Sequence, residues 1–257
     1  MISDKKFVEL KSKLEFHYKN FDKSKISPDP LEFPHRFKHE RDIEISAFIS
    51  SAFAFGNIKQ IMNVLEKIHA KIGSSPFDFV MNFSPSKEYF SNLKHRFYSS
   101  QDIDALFNSL RNIYSRNDNM EKFFIKSDSM KSNIQSFSKE MTDLCSINGK
   151  TSLGIKFMFP NPEKGSACKR MNLFLRWMIR KDELDFGLWE SISPSQLIIP
   201  VDVHIARISQ KLKLTTRKNI SWNMAEEITN NLKKIDPVDP VKYDFALCHI
   251  GIRKIKF

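Results

Sequence analysis

The sequence predicts an all-α protein of two helical lobes. Three observations point there. Apolar residues recur at spacings of three and four in several long segments, no run alternates apolar and polar residues as a half-buried strand would, and glycine is scarce, at 7 of 257 residues. At 41% apolar and 28% charged, the chain can bury a core and keep a solvated surface, which argues against intrinsic disorder.

Taken in order, Ile43–Phe55 is apolar on most sides with serines and alanines between the large residues. That suits a central helix approached closely by its neighbours, and Gly56–Asn57 supplies its stop. Ile58, Ile61, Leu65, Ile68 and Ile72 form the next helical stripe, followed by Ile103, Leu106, Phe107, Leu110 and Ile113, and then by Met130, Ile134, Phe137, Met141 and Leu144. Pro76 and Pro85 punctuate an irregular connector, and the breaker cluster Phe159–Pro160–Asn161–Pro162 is the expected lobe junction. Ala167, Met171, Phe174, Leu175 and Met178 predict a helix over Gly165–Arg180, with Lys169, Arg176 and Arg180 off that face. Further helices are expected from Asp202, after Ser221, and from Asp239–Pro240, where a capping carboxylate precedes proline. The expected lobes are residues 30–150, and residues 1–29 together with 151–257.

Lys plus Arg number 41 against 30 Asp plus Glu, a formal charge of +11. This favours a polyanionic partner, nucleic acid before a membrane surface. Cys145, Cys168 and Cys248 are too scattered for a zinc or iron–sulfur site, so free thiols, no metal and no cofactor are expected. No apolar leader follows Met1 and no segment approaches the ~20 apolar residues of a membrane span, so a cytoplasmic protein without membrane contact is expected.

The informative segment is Ile198–Ile208, in which Pro200 fixes the approach to Asp202 at a helix start. Backbone amides and the positive helix end would hold that carboxylate ionised, with its outer oxygen available to offset positive charge developing on a sugar. The plain alternative is an ordinary cap worth about 1 kcal/mol.

Pro200–Val201–Asp202–Val203–His204, followed by a helix with Arg207 and Leu212, resembles the catalytic-aspartate segment of the helix-hairpin-helix DNA glycosylases, most closely the 8-oxoguanine glycosylases. Upstream, Lys164–Gly165–Ser166–Ala167–Cys168–Lys169–Arg170–Met171–Asn172 resembles the second half of that superfamily's hairpin, with Lys169 in the place of the catalytic lysine. The usual pair of hairpin glycines is reduced to Gly165, the separation between Lys169 and Asp202 is long, as in the archaeal 8-oxoguanine glycosylases, and the iron–sulfur cysteines are absent. Pro34–His35–Arg36–Phe37, Asp42–Ile43–Glu44, Phe53–Ala54–Phe55–Gly56–Asn57 and Lys242–Tyr243–Asp244–Phe245–Ala246–Leu247 together resemble an uncharacterised bacterial family near that superfamily, which brings no established activity.

The resemblance implies a helix-hairpin-helix motif, an interlobe cleft, and a monomeric, nucleoid-associated enzyme that acts on double-stranded DNA containing a damaged base. Lys169 would be the nucleophile and Asp202 the stabiliser of the sugar cation. Gly165, Ser166, Arg170, His204 and Arg207 would contact DNA, His204 at a phosphate, and Trp177, Phe186 and Trp189 would stack on the extruded base. Plainer readings stand beside these. Lys169 is a solvated lysine, Arg170 the real phosphate contact, His204 a helix-surface residue, and each aromatic part of the core. At the level of function the alternatives are a non-catalytic helix-hairpin-helix DNA-binding protein, a monofunctional glycosylase for alkylated bases in which Asp202 activates water, and an RNA-binding role.

Overall fold

The computed structural model describes residues 4–87 and 89–253. The fold is all-α, with isolated antiparallel bridges at His95–Tyr98, Ile147–Lys150 and Lys181–Phe186 and no strand among the described residues. The chain divides into two compact units, Ser27–Asn161 and Met1–Ile26 with Pro162–Phe257. The division falls inside Phe159–Pro160–Asn161–Pro162. Residues 151–161, expected with the other lobe, belong to Ser27–Asn161, where Ser152 bonds the Asp102 carboxylate and Ser138 donates to the Pro160 carbonyl. Residues 1–3 and 254–257 of the expected lobes lie outside the described residues.

The chain opens with α1 (Asp4–Lys19) and then enters the unit Ser27–Asn161. At its centre is α2 (Glu40–Phe53), on which Ile45, Ala47, Phe48, Ile49, Ala52 and Phe53 are fully buried. Each large apolar side chain removed from water in this way stabilises by about 1.5–3 kcal/mol. The serines between them are not wasted polarity. Ser51 Oγ donates to the Phe48 carbonyl and Ser46 Oγ meets His69 Nε2 at 2.8 Å. Two buried carboxylates near the start of α2, Asp42 and Glu44, tie neighbours to it. Asp42 accepts from the Phe77 amide at 2.8 Å, and Glu44 accepts from the Met120 amide at 2.9 Å and from the Tyr114 hydroxyl.

Around α2 are α3 (Ile58–Ile72), α4 (Pro76–Met81), α5 (Ser100–Tyr114), α6 (Glu121–Phe124), α7 (Met130–Leu144) and α8 (Leu153–Met158). Capping explains the starts of five of them. Asn57, Ser75, Ser99, Ser129 and Ser152 each accept a backbone amide in the first turn of α3, α4, α5, α7 and α8 respectively. The stripes of α3, α5 and α7 run where the periodicity places them.

In the unit of Met1–Ile26 with Pro162–Phe257, α9 (Lys169–Ile179), α10 (Val203–Lys211), α11 (Trp222–Lys233) and α12 (Asp244–Arg253) join α1. Two starts differ from expectation. The helix expected from Gly165 begins at Lys169, because Gly165 (φ 83°) and Cys168 (φ 48°) both take left-handed backbone that cannot continue a right-handed helix. The helix expected from Asp239–Pro240 begins at Asp244; the Asp239 carboxylate is turned to Arg180 Nε, from which it accepts at 2.8 and 3.0 Å, rather than to the amides that follow it.

Candidate active site

The segment before α10 is fixed before its chemistry is considered. Ile199 and Val201 are buried, and the Ile199 amide donates to Thr229 Oγ1 of α11 at 3.0 Å, while Pro200 is buried between them. Asp202 therefore arrives at the helix start in one orientation, with extended backbone (φ −122°, ψ −169°). Its Oδ1 accepts from the amides of His204 (2.9 Å) and Ile205 (3.0 Å), the N-cap geometry.

Its Oδ2 meets Lys169 Nζ at 3.0 Å. Lys169 is the first residue of α9, and the first turn of that helix contains no acid. A cation there faces the positive helix end, a disadvantage of about 0.3–1 kcal/mol that the ion pair opposes. Both side chains keep an open side, 32% of Lys169 and 20% of Asp202 being exposed. Burial pushes the Asp202 carboxyl up, but the Lys169 ammonium and the Ile205 and His204 amides outweigh it and hold the group below the usual carboxylate range.

Beneath α9 lies an ionic network that the sequence did not announce. Arg176 bonds Asp185 (3.1 Å) and Asp244, and Arg180 bonds Asp182 (2.9 Å), Asp185 and Asp239 (2.8 Å), with both guanidinium groups 3% exposed. Burial pushes the Asp244 carboxyl up to about 6; Arg176 pulls the other way, and the charge on Asp202 adds to the rise. Asp185 is raised by burial against the same arginines. The available signal was a pair of arginines one turn apart on a helix otherwise as apolar as Met171, Phe174, Leu175 and Met178 make it, since such cations stay buried only against carboxylates.

The other expected site residues separate into three groups. Gly165 is exposed and Ser166 is half-buried, and they lead into α9; the Trp222 amide donates to the Gly165 carbonyl at 3.2 Å and the Cys168 amide to Ser166 Oγ at 3.2 Å. His204 is half-buried and Arg207 exposed on α10. Three of the remainder are corrections. Arg170 is 6% exposed, and a guanidinium so enclosed presents no face to a duplex. Trp177 (0%) and Trp189 (2%) are core residues, Trp189 lying edge-on to Phe174 with ring centroids 5.2 Å apart. Neither has a face open for an extruded base. Phe186 is half-buried in the turn after α9, its amide donating to the Trp177 carbonyl at 2.9 Å.

Burial pushes the thiols of Cys145 and Cys168 up to about 12, so neither is a nucleophile at neutral pH. Among the described residues no group of three or more His, Cys, Asp or Glu is arranged to hold a metal ion, and no helix is long and apolar enough to cross a membrane. No curated protein and no solved structure matches the chain. Residues 29–253 match the family model described as Protein of unknown function (DUF2400), and the chain belongs to that family.

Proposed function

We propose that this chain is a DNA-repair glycosylase of the helix-hairpin-helix kind, which extrudes a damaged base and cuts its glycosidic bond, with oxidised purines such as 8-oxoguanine as the first substrates to test. The observation that carries the reading is the partly open contact between Lys169 Nζ and Asp202 Oδ2, 3.0 Å apart, made by residues far apart in the sequence at the starts of two helices. It is supported by the capped, ionised state of Asp202, by the exposed Gly165 turn before α9, and by the +11 charge that suits a phosphate backbone. In this reading the turn is the second half of the hairpin.

The chemistry follows from the pair. An amine attacks only as its neutral form, and Asp202 offers an acceptor for the proton that Lys169 must lose. Lys169 Nζ then bonds the sugar C1′ while the glycosidic bond breaks, and the base leaves with that electron pair and the proton that Asp202 had accepted. Asp202 offsets positive charge on the sugar as it develops. Ring opening gives a protonated Schiff base, and loss of a C2′ proton expels the 3′ phosphate.

The same ion pair suits a non-catalytic DNA-binding protein in which it only clamps α9 to α10. Borohydride trapping on duplexes carrying an abasic site or a single lesion separates the two readings. A covalent adduct lost in Lys169→Gln is expected of the enzyme. An adduct that survives Lys169→Gln moves the nucleophile elsewhere, and DNA binding without any adduct or base release supports the non-catalytic protein.

A further inference from the structure

A second surface, within Ser27–Asn161, is built around the two-residue turn Arg96–Phe97. His95 and Tyr98 exchange backbone hydrogen bonds of 3.0 and 2.9 Å, and Arg96 sits at its tip with left-handed backbone (φ 53°). Side chains prefer to avoid that conformation, so the turn must be held by its surroundings. It is held on three sides. The Tyr98 hydroxyl donates to the Ala52 carbonyl, in the last turn of α2, at 3.0 Å, and His95 Nε2 lies 3.2 Å from the Phe55 carbonyl just beyond that helix. A Cβ at Gly154 of α8 would lie 2.6 Å from the Phe97 carbonyl, and one at Gly56 would lie 2.9 Å from the Arg96 guanidinium. Gly154, where a side chain would meet backbone, lets the turn pack down, whereas Gly56 has left-handed backbone of its own (φ 103°) and faces the movable Arg96 side chain.

What this fixed turn presents is apolar and cationic together. Phe97 is 54% exposed and rests on Phe157, ring centroids 4.7 Å apart, which is itself 38% exposed, and Leu153 on the same helix α8 is 80% exposed. Arg96 is an exposed residue, and its guanidinium lies 5.7 Å from the Phe97 ring and 5.8 Å from the Phe55 ring. Lys94 and Lys156, both exposed, neighbour the turn and Phe157 in the chain, while residues 89–99 and 144–160 contain no Asp or Glu. The carboxylate packed against the turn, Asp102, is 5% exposed and bonded by Ser99 and Ser152, so what reaches the surface is a rigid aromatic face bordered by cations, complementary to a ring stacked beside a phosphate. It suits a nucleobase that has left its pair.

We propose that the Arg96–Phe97 turn, with Phe157 and Lys156 of α8, binds an unpaired nucleotide of DNA, the base stacking on Phe97 and the flanking phosphates meeting Arg96 and Lys156. The proposal rests on the DNA-binding part of the function proposed above and needs none of its chemistry. It extends that reading to a substrate class, DNA in which a nucleotide stands unpaired, in a bulge or a single-stranded stretch.

The test is fluorescence anisotropy with the full chain on a short single strand, a duplex with a one-nucleotide bulge and the fully paired duplex. Wild type is expected to prefer the first two, and Phe97→Ala to weaken them roughly 10-fold while leaving the paired duplex and the salt slope unchanged. Phe97→Trp, which restores a stacking face, is expected to recover the loss, and circular dichroism with thermal melting confirms that each variant folds. Arg96→Gln is expected to lower the slope of log affinity against log salt by about 0.7 on the single strand. An unchanged affinity of Phe97→Ala for unpaired DNA overturns the proposal and leaves the Lys169 chemistry standing. Loss of Schiff-base trapping in Lys169→Gln tests that chemistry alone. Wild-type protein that binds no nucleic acid in low salt overturns both. Self-association by sedimentation that disappears in Phe97→Ala places a second copy on this surface instead and also overturns the proposal.

Discussion

Asp202 and Lys169 share an arrangement in which the two carboxylate oxygens are used differently, Oδ1 closing the first turn of α10 while Oδ2 lies 3.0 Å from the Lys169 ammonium. Structure and chemistry are therefore separable by substitution. Asp202→Asn keeps an oxygen that can cap the helix and removes the charge, so stability is expected to change by less than about 1 kcal/mol. Base release from an 8-oxoguanine duplex is expected to fall at least roughly 100-fold, since an amide cannot offset a sugar cation. Thermal melting and single-turnover base release are the measurements; full base release in this variant refutes the assigned role of Asp202.

The buried carboxylate Asp244 gives stability a pH dependence of definite sign. Its folded pKa, pushed up to about 6 by burial, lies above the ordinary 3.8, so between those values the folded protein binds more protons from this group than the unfolded chain does. Its contribution is thus greatest below about pH 4 and declines as pH rises through about 6, by an amount on the order of 3 kcal/mol. Asp244→Asn is neutral throughout and lacks this decline. Urea unfolding of both proteins between pH 4 and 7 checks it: the stability difference must shift across that window in favour of the variant, and a constant difference rules the mechanism out.

How much of this was legible in the sequence depended on which interactions are local. The stripes of α3, α5 and α7 and the caps at Asp202 and Ser221 involve residues within a turn or two of each other, and the structure places them at the expected positions. The starts of α9 and α12 were misplaced because each was decided by something the linear pattern does not carry, left-handed backbone at Cys168 and the pairing of Asp239 with Arg180. α4, α6 and α8 are too short to show a period, at 6, 4 and 6 residues. Charged residues read as solvated by default, which hid Arg170, Arg176, Asp185 and Asp244 in the interior. At the candidate site, the pairing of Lys169 with Asp202 came from a motif rather than from periodicity, and the acidic network beneath it had no motif to announce it.

Glu44 is expected to be one of the most costly single positions in Ser27–Asn161. It is 2% exposed and accepts from both the Tyr114 hydroxyl and the Met120 amide, joining α2 to the end of α5 and the start of α6. Glu44→Ala strands two buried donors and leaves a void, an expected loss of about 3 kcal/mol, whereas Tyr114→Phe removes one donor cleanly and should lose about 1 kcal/mol. Because the two residues are in contact, the double variant is expected to lose less than the sum. Additivity in chemical unfolding would show that the hydrogen bond contributes nothing.

Arg170 and Arg207, both expected to contact DNA, differ in the structure. Arg170 stands beside Lys169 but is 6% exposed, while Arg207 lies on the exposed side of α10 one turn beyond the Asp202 cap. Arg170→Gln leaves a buried site without its cation and should destabilise the fold by about 3 kcal/mol, with any loss of DNA affinity following from that. Arg207→Gln should leave the melting temperature unchanged and lower the slope of log affinity against log salt by about 0.9, the effect of one lost phosphate contact on duplex DNA. Thermal melting and a salt titration of duplex binding on the two variants decide the matter. A stable Arg170→Gln protein with a reduced salt slope would return Arg170 to the phosphate backbone, and an unchanged slope in Arg207→Gln would remove that face of α10 from the DNA contact.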